Sequence, residues 1–97
     1  MLDKIRLKID KIDSEILVLL RDRFELVQQI GNVKKQHGVP VVDFGREKSV
    51  KENLIKIAKE RGLSEQFVVE LYELILDESR RLQGVFSHPK MSLNELE

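Results

Sequence analysis

The first third of the chain carries the feature that most constrains the fold: apolar residues recur there at alternating steps of three and four. This spacing places their side chains along one face of a single α-helix, as in a heptad seam. No proline or glycine interrupts the pattern before Gly31, so we predict one very long helix from about Leu2 to Gln36. The apolar seam consists of Leu2, Ile5, Ile9, Ile12, Ile16, Leu19, Leu26, Ile30 and Val33.

One step of the apolar seam lands on a cation, because the position that follows Leu19 in the pattern is Arg23. A guanidinium in an apolar stripe costs free energy to desolvate unless an anionic group meets it. Arg23 is therefore a candidate for binding an anionic ligand. Two plainer alternatives stay open: Arg23 pairs with a glutamate, or its apolar stem carries the charge out to solvent.

The length of this helix favours self-association. A helix of about 35 residues spans roughly 50 Å. A chain of 97 residues suggests one domain, and a compact domain of that length has a radius of gyration of only about 12–13 Å. The helix would project beyond it, and a second copy would cover the apolar seam. If two copies pack antiparallel, Arg6 of one chain approaches Arg23 of the other, although Arg6 alone would be an ordinary solvated residue.

A loop and a second helix are predicted next. The connector Val39-Pro40-Val41-Val42 is rich in valine, but no other segment offers a strand to pair with it, so we predict a loop. Asp43 is a candidate N-cap for a helix from about Phe44 to Arg61, and Gly62 is a candidate to close that helix.

A third helix completes the predicted fold, from about Glu65 to Val85, with Ser64 as its N-cap and Ser87-His88-Pro89 as its stop. The fold class is therefore all-α, with one very long N-terminal helix and two shorter helices per chain. We expect residues 1–86 to form the helical domain and residues 87–97 to form a loose C-terminal tail.

Composition excludes several classes of function. Lys and Arg together number 17, as do Asp and Glu, so the formal net charge is zero. That balance argues against nucleic-acid binding, which usually needs a basic surplus. The chain has no cysteine, no apolar run of about 18 residues for a membrane span and no signal-peptide core. We expect a cytoplasmic protein without a metal site or a nucleophile–base arrangement.

Several polar residues are predicted to lie on or beside the apolar faces. Lys34 shares a face with Arg23, roughly 16 Å along the axis. Ser79 and Gln83 lie one turn apart on the third helix. A further cluster stands at the start of the second helix, where free backbone N–H groups favour an anion. That cluster consists of Asp43, Arg46 and Glu47.

Each of these residues also has a plainer interpretation. Lys34 stands beside Lys35, and such a pair is usually a polar helix face. Asp43 is sufficiently explained as an N-cap, and Arg46 and Glu47 as partners in surface ion pairs. Ser79 and Gln83 could be surface positions on an imperfect amphipathic helix. Spacing alone therefore predicts a helical dimer with a cationic pocket.

Taken in order, these segments resemble the all-helical chorismate mutases, the AroQ class, over about residues 2–85. The resemblance implies an intertwined homodimer with three helices per chain and two active sites, each completed by an arginine from the neighbouring chain. It implies the Claisen rearrangement of chorismate to prephenate, on the route to phenylalanine and tyrosine. The segments that carry it are Arg6-x6-Asp13, Arg23 to Lys34, Pro40-Val41-Val42-Asp43-x2-Arg46-Glu47 and Glu78-Ser79-x3-Gln83.

The resemblance also implies catalytic roles. Arg6 resembles the arginine lent across the dimer, and Arg23 the arginine of the same chain; both would bind substrate carboxylates. Lys34 and Gln83 resemble the donors to the ether oxygen of the breaking bond. Such an enzyme would act by restricting the substrate's conformation and stabilising negative charge on that oxygen. It would need no cofactor.

The remaining site residues are assigned to binding by the same resemblance. Arg46 and Ser79 resemble further contacts on the carboxylate side of the substrate, while Asp43 and Glu47 resemble groups near its ring hydroxyl. The chain departs from some members at Val42, where those members have an arginine. This departure removes one cation from the expected rim of the pocket, which bears on substrate affinity.

Two alternative functions remain open on the sequence. One is isochorismate-pyruvate lyase, whose fold is similar. The lyases carry a bulkier residue at the position of Ser79, which argues against this alternative. The other is a non-catalytic helical dimer that serves as a regulatory or docking module. The joint occurrence of five polar residues at matching positions argues against it; they are Arg6, Arg23, Lys34, Arg46 and Gln83.

Overall fold

A computed structural model describes residues 1–84 of the chain. It contains three α-helices, α1 (Leu2–Gln36), α2 (Phe44–Arg61) and α3 (Glu65–Leu82). The predicted all-α class and three-helix order are confirmed, and residues 1–84 contain no strand. The predicted tail, residues 87–97, lies outside the described residues.

The predicted caps fix the bounds of α2 and the start of α3. The Asp43 carboxylate accepts a hydrogen bond of 2.9 Å from the backbone N–H of Arg46. The Ser64 hydroxyl accepts one of 3.2 Å from the backbone N–H of Phe67. Gly62 ends α2 in the left-handed conformation, with φ of +70°. At each helix start a side-chain acceptor satisfies one of the free backbone N–H groups, which is why these boundaries could be predicted.

The predicted end of α3 at Val85 is wrong. The helix ends at Leu82, and Gln83 forms its C-cap. Gly84 then takes a φ of +94°, a left-handed conformation that glycine adopts at little cost, and its N–H donates to the carbonyl of Arg81. The chain therefore leaves the helix before it reaches Ser87-His88-Pro89.

Helix α3 lies between the other two helices and packs on both. Its buried side chains are Val68, Ile75, Leu76 and Ser79, whereas α2 contributes Ala58 and α1 contributes Val27. An ion pair between Lys51 and Glu73 also joins α2 to α3. The buried residues of α1 all belong to its second half, so the helix meets the rest of its own chain only there.

The first half of α1 projects away from the packed region. All nine residues of the apolar seam are exposed in the single chain, including Ile5, Ile9 and Ile12, which are 49%, 50% and 55% exposed. The Cα radius of gyration is 16.5 Å, well above the roughly 12–13 Å of a compact domain of this length. None of the helices in residues 1–84 combines the length and apolarity needed to cross a membrane.

Candidate active site

A cavity of about 250 Å³ lies where the second half of α1 meets the start of α2 and the end of α3. We call it the cationic pocket. Seven of the eight predicted site residues line it, and only Arg6 does not. Apolar side chains of Val27, Ile30, Val50 and Leu76 form part of its wall. The seven predicted residues are Arg23, Lys34, Asp43, Arg46, Glu47, Ser79 and Gln83.

Arg23 is held in the cationic pocket by the hydroxyl of Ser79. A guanidinium N–H of Arg23 donates to Ser79 Oγ at 2.6 Å, and that hydroxyl donates to the carbonyl of Ile75 at 2.8 Å. Ser79 is buried, with 5% of its surface exposed. Arg23 forms no ion pair within residues 1–84. The alternative that it pairs with a glutamate is therefore wrong for this part of the chain. Its charge is available to an anionic ligand.

Lys34 and Gln83 lie side by side in the cationic pocket and contact each other. Lys34 Nζ donates to the carbonyl of Val41 at 2.7 Å and to Gln83 Oε1 at 3.3 Å. Gln83 Nε2 donates to the carbonyl of Ser79 at 3.1 Å. An ammonium has three hydrogens and an amide nitrogen two. After these contacts within residues 1–84, each group retains one hydrogen for a ligand.

Gly31 allows α1 and α3 to approach closely at this point. It is buried, and a Cβ built on it would lie 2.9 Å from Gln83 Cγ and 3.2 Å from Gln83 Cα. Any other residue would require the Gln83 side chain to shift from its present position. In the sequence Gly31 stands out only as the first glycine in the apolar pattern, which does not indicate this packing role.

The start of α2 contributes Asp43, Arg46 and Glu47 to the cationic pocket. Arg46 is exposed to solvent, and Asp43 caps the helix. Glu47 is different, because its carboxylate forms a two-point ion pair with Arg80 of α3. Both side chains of that pair are only 16% exposed. The hydrogen bond to Glu47 is the main reason that the pKa of Arg80 is raised above its ordinary value.

Arg80 is the functional candidate that sequence reasoning missed. It follows Ser79 directly, but the sequence does not indicate which of Arg80 and Arg81 faces α2. In the structure Arg81 pairs with Glu78 on the exposed side of α3, whereas Arg80 turns toward α2. The difference depends on tertiary packing, which no local pattern encodes.

Arg6 and Val42 do not belong to the cationic pocket of the single chain. Arg6 is exposed on the projecting half of α1, about 25 Å along the helix axis from Arg23. The structure therefore does not bring Arg6 to the pocket of its own chain. Val42 is half-buried and does not line the cavity.

The charges around the cationic pocket favour an anion. Three cations and two carboxylates line it, giving a formal net charge of +1 in a chain whose total is zero. The cations converge from two helices, since Arg23 and Lys34 belong to α1 and Arg46 to α2. A small ligand with carboxylate groups and further hydrogen-bond acceptors fits this arrangement.

Comparison with known proteins shows which family the chain matches. The sequence profile of the family described as Chorismate mutase type II matches residues 5–84. The chain is 30% identical to a chorismate mutase of Methanocaldococcus jannaschii, and the matched region covers 97% of this chain and 95% of the relative. It is 35% identical to a 4-amino-4-deoxychorismate mutase of Streptomyces venezuelae, covering 87% of this chain and 82% of the relative.

A longer relative also matches. The chain is 35% identical to part of the bifunctional chorismate mutase/prephenate dehydratase of Escherichia coli, over 77% of this chain but only 19% of that protein. The family match runs through all three helices and includes every residue of the cationic pocket. The resemblance stated from the sequence is thus confirmed, and the chain belongs to the chorismate mutase type II family.

Proposed function

We propose that the chain is a chorismate mutase, which rearranges chorismate to prephenate in the cationic pocket. The observation that carries the proposal is the convergence of Arg23, Lys34 and Gln83 on one cavity in a chain of this family. Each offers hydrogen-bond donors to a ligand, and the two cations suit an anionic one.

The chemistry of the substrate matches the donors. Chorismate carries two carboxylates, an ether oxygen and one ring hydroxyl. The carboxylates suit Arg23 and Arg46, because a guanidinium binds a carboxylate with two parallel hydrogen bonds. The Ser79 hydroxyl holds Arg23 in place for this contact. The ether oxygen suits the hydrogens that Lys34 and Gln83 retain.

The reaction requires no covalent bond between the protein and the substrate. The ether C–O bond breaks while a C–C bond forms between the enolpyruvyl methylene carbon and the ring, and no atom or proton leaves the molecule. Catalysis then depends on holding the enolpyruvyl arm over the ring, which is an orientation effect. It also depends on stabilising the negative charge that grows on the ether oxygen, for which Lys34 and Gln83 are placed.

We propose further that two copies associate along the apolar seam and that each lends Arg6 to the other's cationic pocket. The exposed isoleucines of α1 support association, because a soluble monomer rarely leaves so long an apolar stripe uncovered. With Arg6 of the partner added, the pocket's net charge of +1 becomes +2, which matches a dianion.

A specific contact argues against the isochorismate-pyruvate lyase alternative. Ser79 is buried, and its hydroxyl lies between Arg23 and the carbonyl of Ile75. The bulkier residue of the lyases would displace Arg23 from this position. The non-catalytic alternative is disfavoured by the retained donor hydrogens, for which a docking module has no use.

Incubation with each substrate tests the proposal. The purified chain is expected to consume chorismate and yield prephenate, as followed by absorbance and product chromatography. Salicylate and pyruvate from isochorismate would instead support the lyase. Activity toward neither substrate would support the non-catalytic module. The oligomer mass is measured on the same sample, and a fully active single chain would contradict the lending of Arg6.

A further inference from the structure

The ion pair between Glu47 and Arg80 has no part in the mechanism above, although Glu47 lines the cationic pocket. Arg80 Nε donates to Glu47 Oε2 at 3.1 Å, and a second guanidinium nitrogen donates to Glu47 Oε1. The third nitrogen donates to Asp77 Oδ1 at 3.0 Å. All three nitrogens of Arg80 are thus engaged by carboxylates of α2 and α3, so Arg80 is a counter-ion to Glu47 and not an anchor for the substrate.

Glu47 raises a chemical question that rests on the proposed function. A carboxylate that lines a pocket for a dianion repels it, unless it meets a hydrogen-bond donor on the ligand. Chorismate has one such donor at neutral pH, its ring hydroxyl, because its other oxygens are acceptors only. Glu47 therefore has one favourable contact available. Arg80 lowers the cost of keeping the carboxylate in the pocket by balancing its charge.

We propose that Arg80 is a positioning residue that sets substrate choice: by orienting and balancing Glu47, it favours a ring hydroxyl over an amino group at the same ring position. An amino group there is largely an ammonium near neutral pH, since amine pKa values run from about 7.7 to 10.4. An ammonium is bound most strongly by a carboxylate that has no other counter-ion. A hydroxyl needs only a well-aimed acceptor.

The comparison with known proteins supplies the competing substrate. The relative from Streptomyces venezuelae is a 4-amino-4-deoxychorismate mutase, so a chain of similar sequence acts on the amino compound. Two carboxylates and one ammonium give that compound a net charge of −1, against −2 for chorismate. Loss of Arg80 adds negative charge to the pocket wall, which disfavours the dianion more than the singly charged amino compound.

The test measures kcat and KM for chorismate and for 4-amino-4-deoxychorismate in the wild-type chain and five variants. Arg80→Gln removes the counter-ion, Arg80→Lys keeps its charge but not its two-point contact, and Glu47→Gln removes the carboxylate. The double variant Arg80→Gln/Glu47→Gln removes both charges. Arg81→Gln is the matched control, because Arg81 pairs with Glu78 on the exposed side of the same helix.

Arg80→Gln is expected to raise KM for chorismate by about tenfold and to change kcat less. The substrate ratio, which is kcat/KM for the amino substrate divided by kcat/KM for chorismate, is expected to rise by at least about tenfold. Arg80→Lys is expected to be intermediate, and Arg81→Gln to leave both substrates unchanged. In the Glu47→Gln background, Arg80→Gln is expected to change the ratio by less than about threefold. The pocket carboxylate that Arg80 balances is then gone, and its other partner, Asp77, does not line the cationic pocket.

Thermal unfolding and oligomer mass show which variants fold. If Arg80→Gln does not fold, the substrate ratio of Arg80→Lys decides. An active wild type whose substrate ratio is the same in every folded Arg80 variant would overturn the inference and leave the proposed function standing. An equal shift with and without Glu47 would also overturn it. A wild type inactive on both substrates would overturn the proposed function, and the inference with it.

Discussion

Lys34 and Gln83 show how much of the proposed chemistry depends on single hydrogen atoms. Their contacts to each other and to two backbone carbonyls fix both side chains and leave one hydrogen on each. We propose that these two hydrogens meet the ether oxygen of the substrate. The donors are in place before any substrate arrives. Preorganised donors of this kind lose little free energy to rearrangement during the reaction, which is why each one weighs heavily on the rate.

Replacement of either donor by alanine tests this arrangement. Lys34→Ala and Gln83→Ala are each expected to lower kcat by about a hundredfold or more, since one donor to a developing oxyanion is typically worth that much. Lys35→Ala is the control, because Lys35 is the neighbouring exposed lysine outside the cationic pocket. Circular dichroism verifies the fold, and near-normal turnover in both variants would refute the assigned roles.

At Asp43, substitution can distinguish the capping role of the side chain from the effect of its charge. Its carboxylate accepts from the backbone N–H of Arg46 and so caps α2. Asp43→Ala is expected to lower the free energy of unfolding by about 0.5–2 kcal/mol, whereas Asp43→Asn keeps most of the stability because asparagine caps equally well. Chemical denaturation measures both values. Equal loss in the two variants would show that charge, and not capping, holds this helix start.

At the scale of the helices, Gly31 links the packing of α1 on α3 to the position of the Gln83 amide. Gly31→Ala should favour the helix by about 1 kcal/mol through propensity alone. The added Cβ would meet Gln83 Cγ at 2.9 Å, however, which forces the side chain to move. We expect kcat to fall by about tenfold or more as the amide leaves the ether oxygen.

The control for this variant is Gly45→Ala in the first turn of α2, where the new Cβ would lie at an ordinary 3.5 Å from Asp43 Oδ1. That variant should keep its kcat and gain slightly in thermal stability. If Gly31→Ala also kept full turnover, the close approach of the two helices would not be what positions Gln83.

The helices also show what can be predicted from local sequence. The bounds of α1 and α2 follow from apolar spacing and from capping residues, signals that act within a few positions of each boundary. The end of α3 was predicted three residues too late, because the conformation of Gly84 outweighed the helix pattern. The partnership of Arg80 with Glu47 spans 33 positions and two helices, so only the packed structure reveals it.

Residues 1–84 form an elongated unit in which α1 packs on the rest of the chain along only half its length. Complete burial of an exposed isoleucine contributes about 1.5–3 kcal/mol. The isoleucines of the apolar seam are about half exposed in the single chain, so a partner that covers them would add roughly half of that value for each one. The cationic pocket lies at the packed end of α1, and Arg6 lies on the projecting half. An antiparallel partner would place its own projecting half, with its Arg6, beside this pocket.

Complementation between two inactive variants tests that arrangement most directly. Arg6→Gln and Arg23→Gln each disable both sites of a homodimer, but a mixed dimer contains one site with both arginines intact. Random exchange of subunits makes half of the dimers mixed, so the mixture should regain about a quarter of wild-type activity. If native mass spectrometry shows mixed dimers and the mixture is no more active than its parents, Arg6 is not lent across the interface.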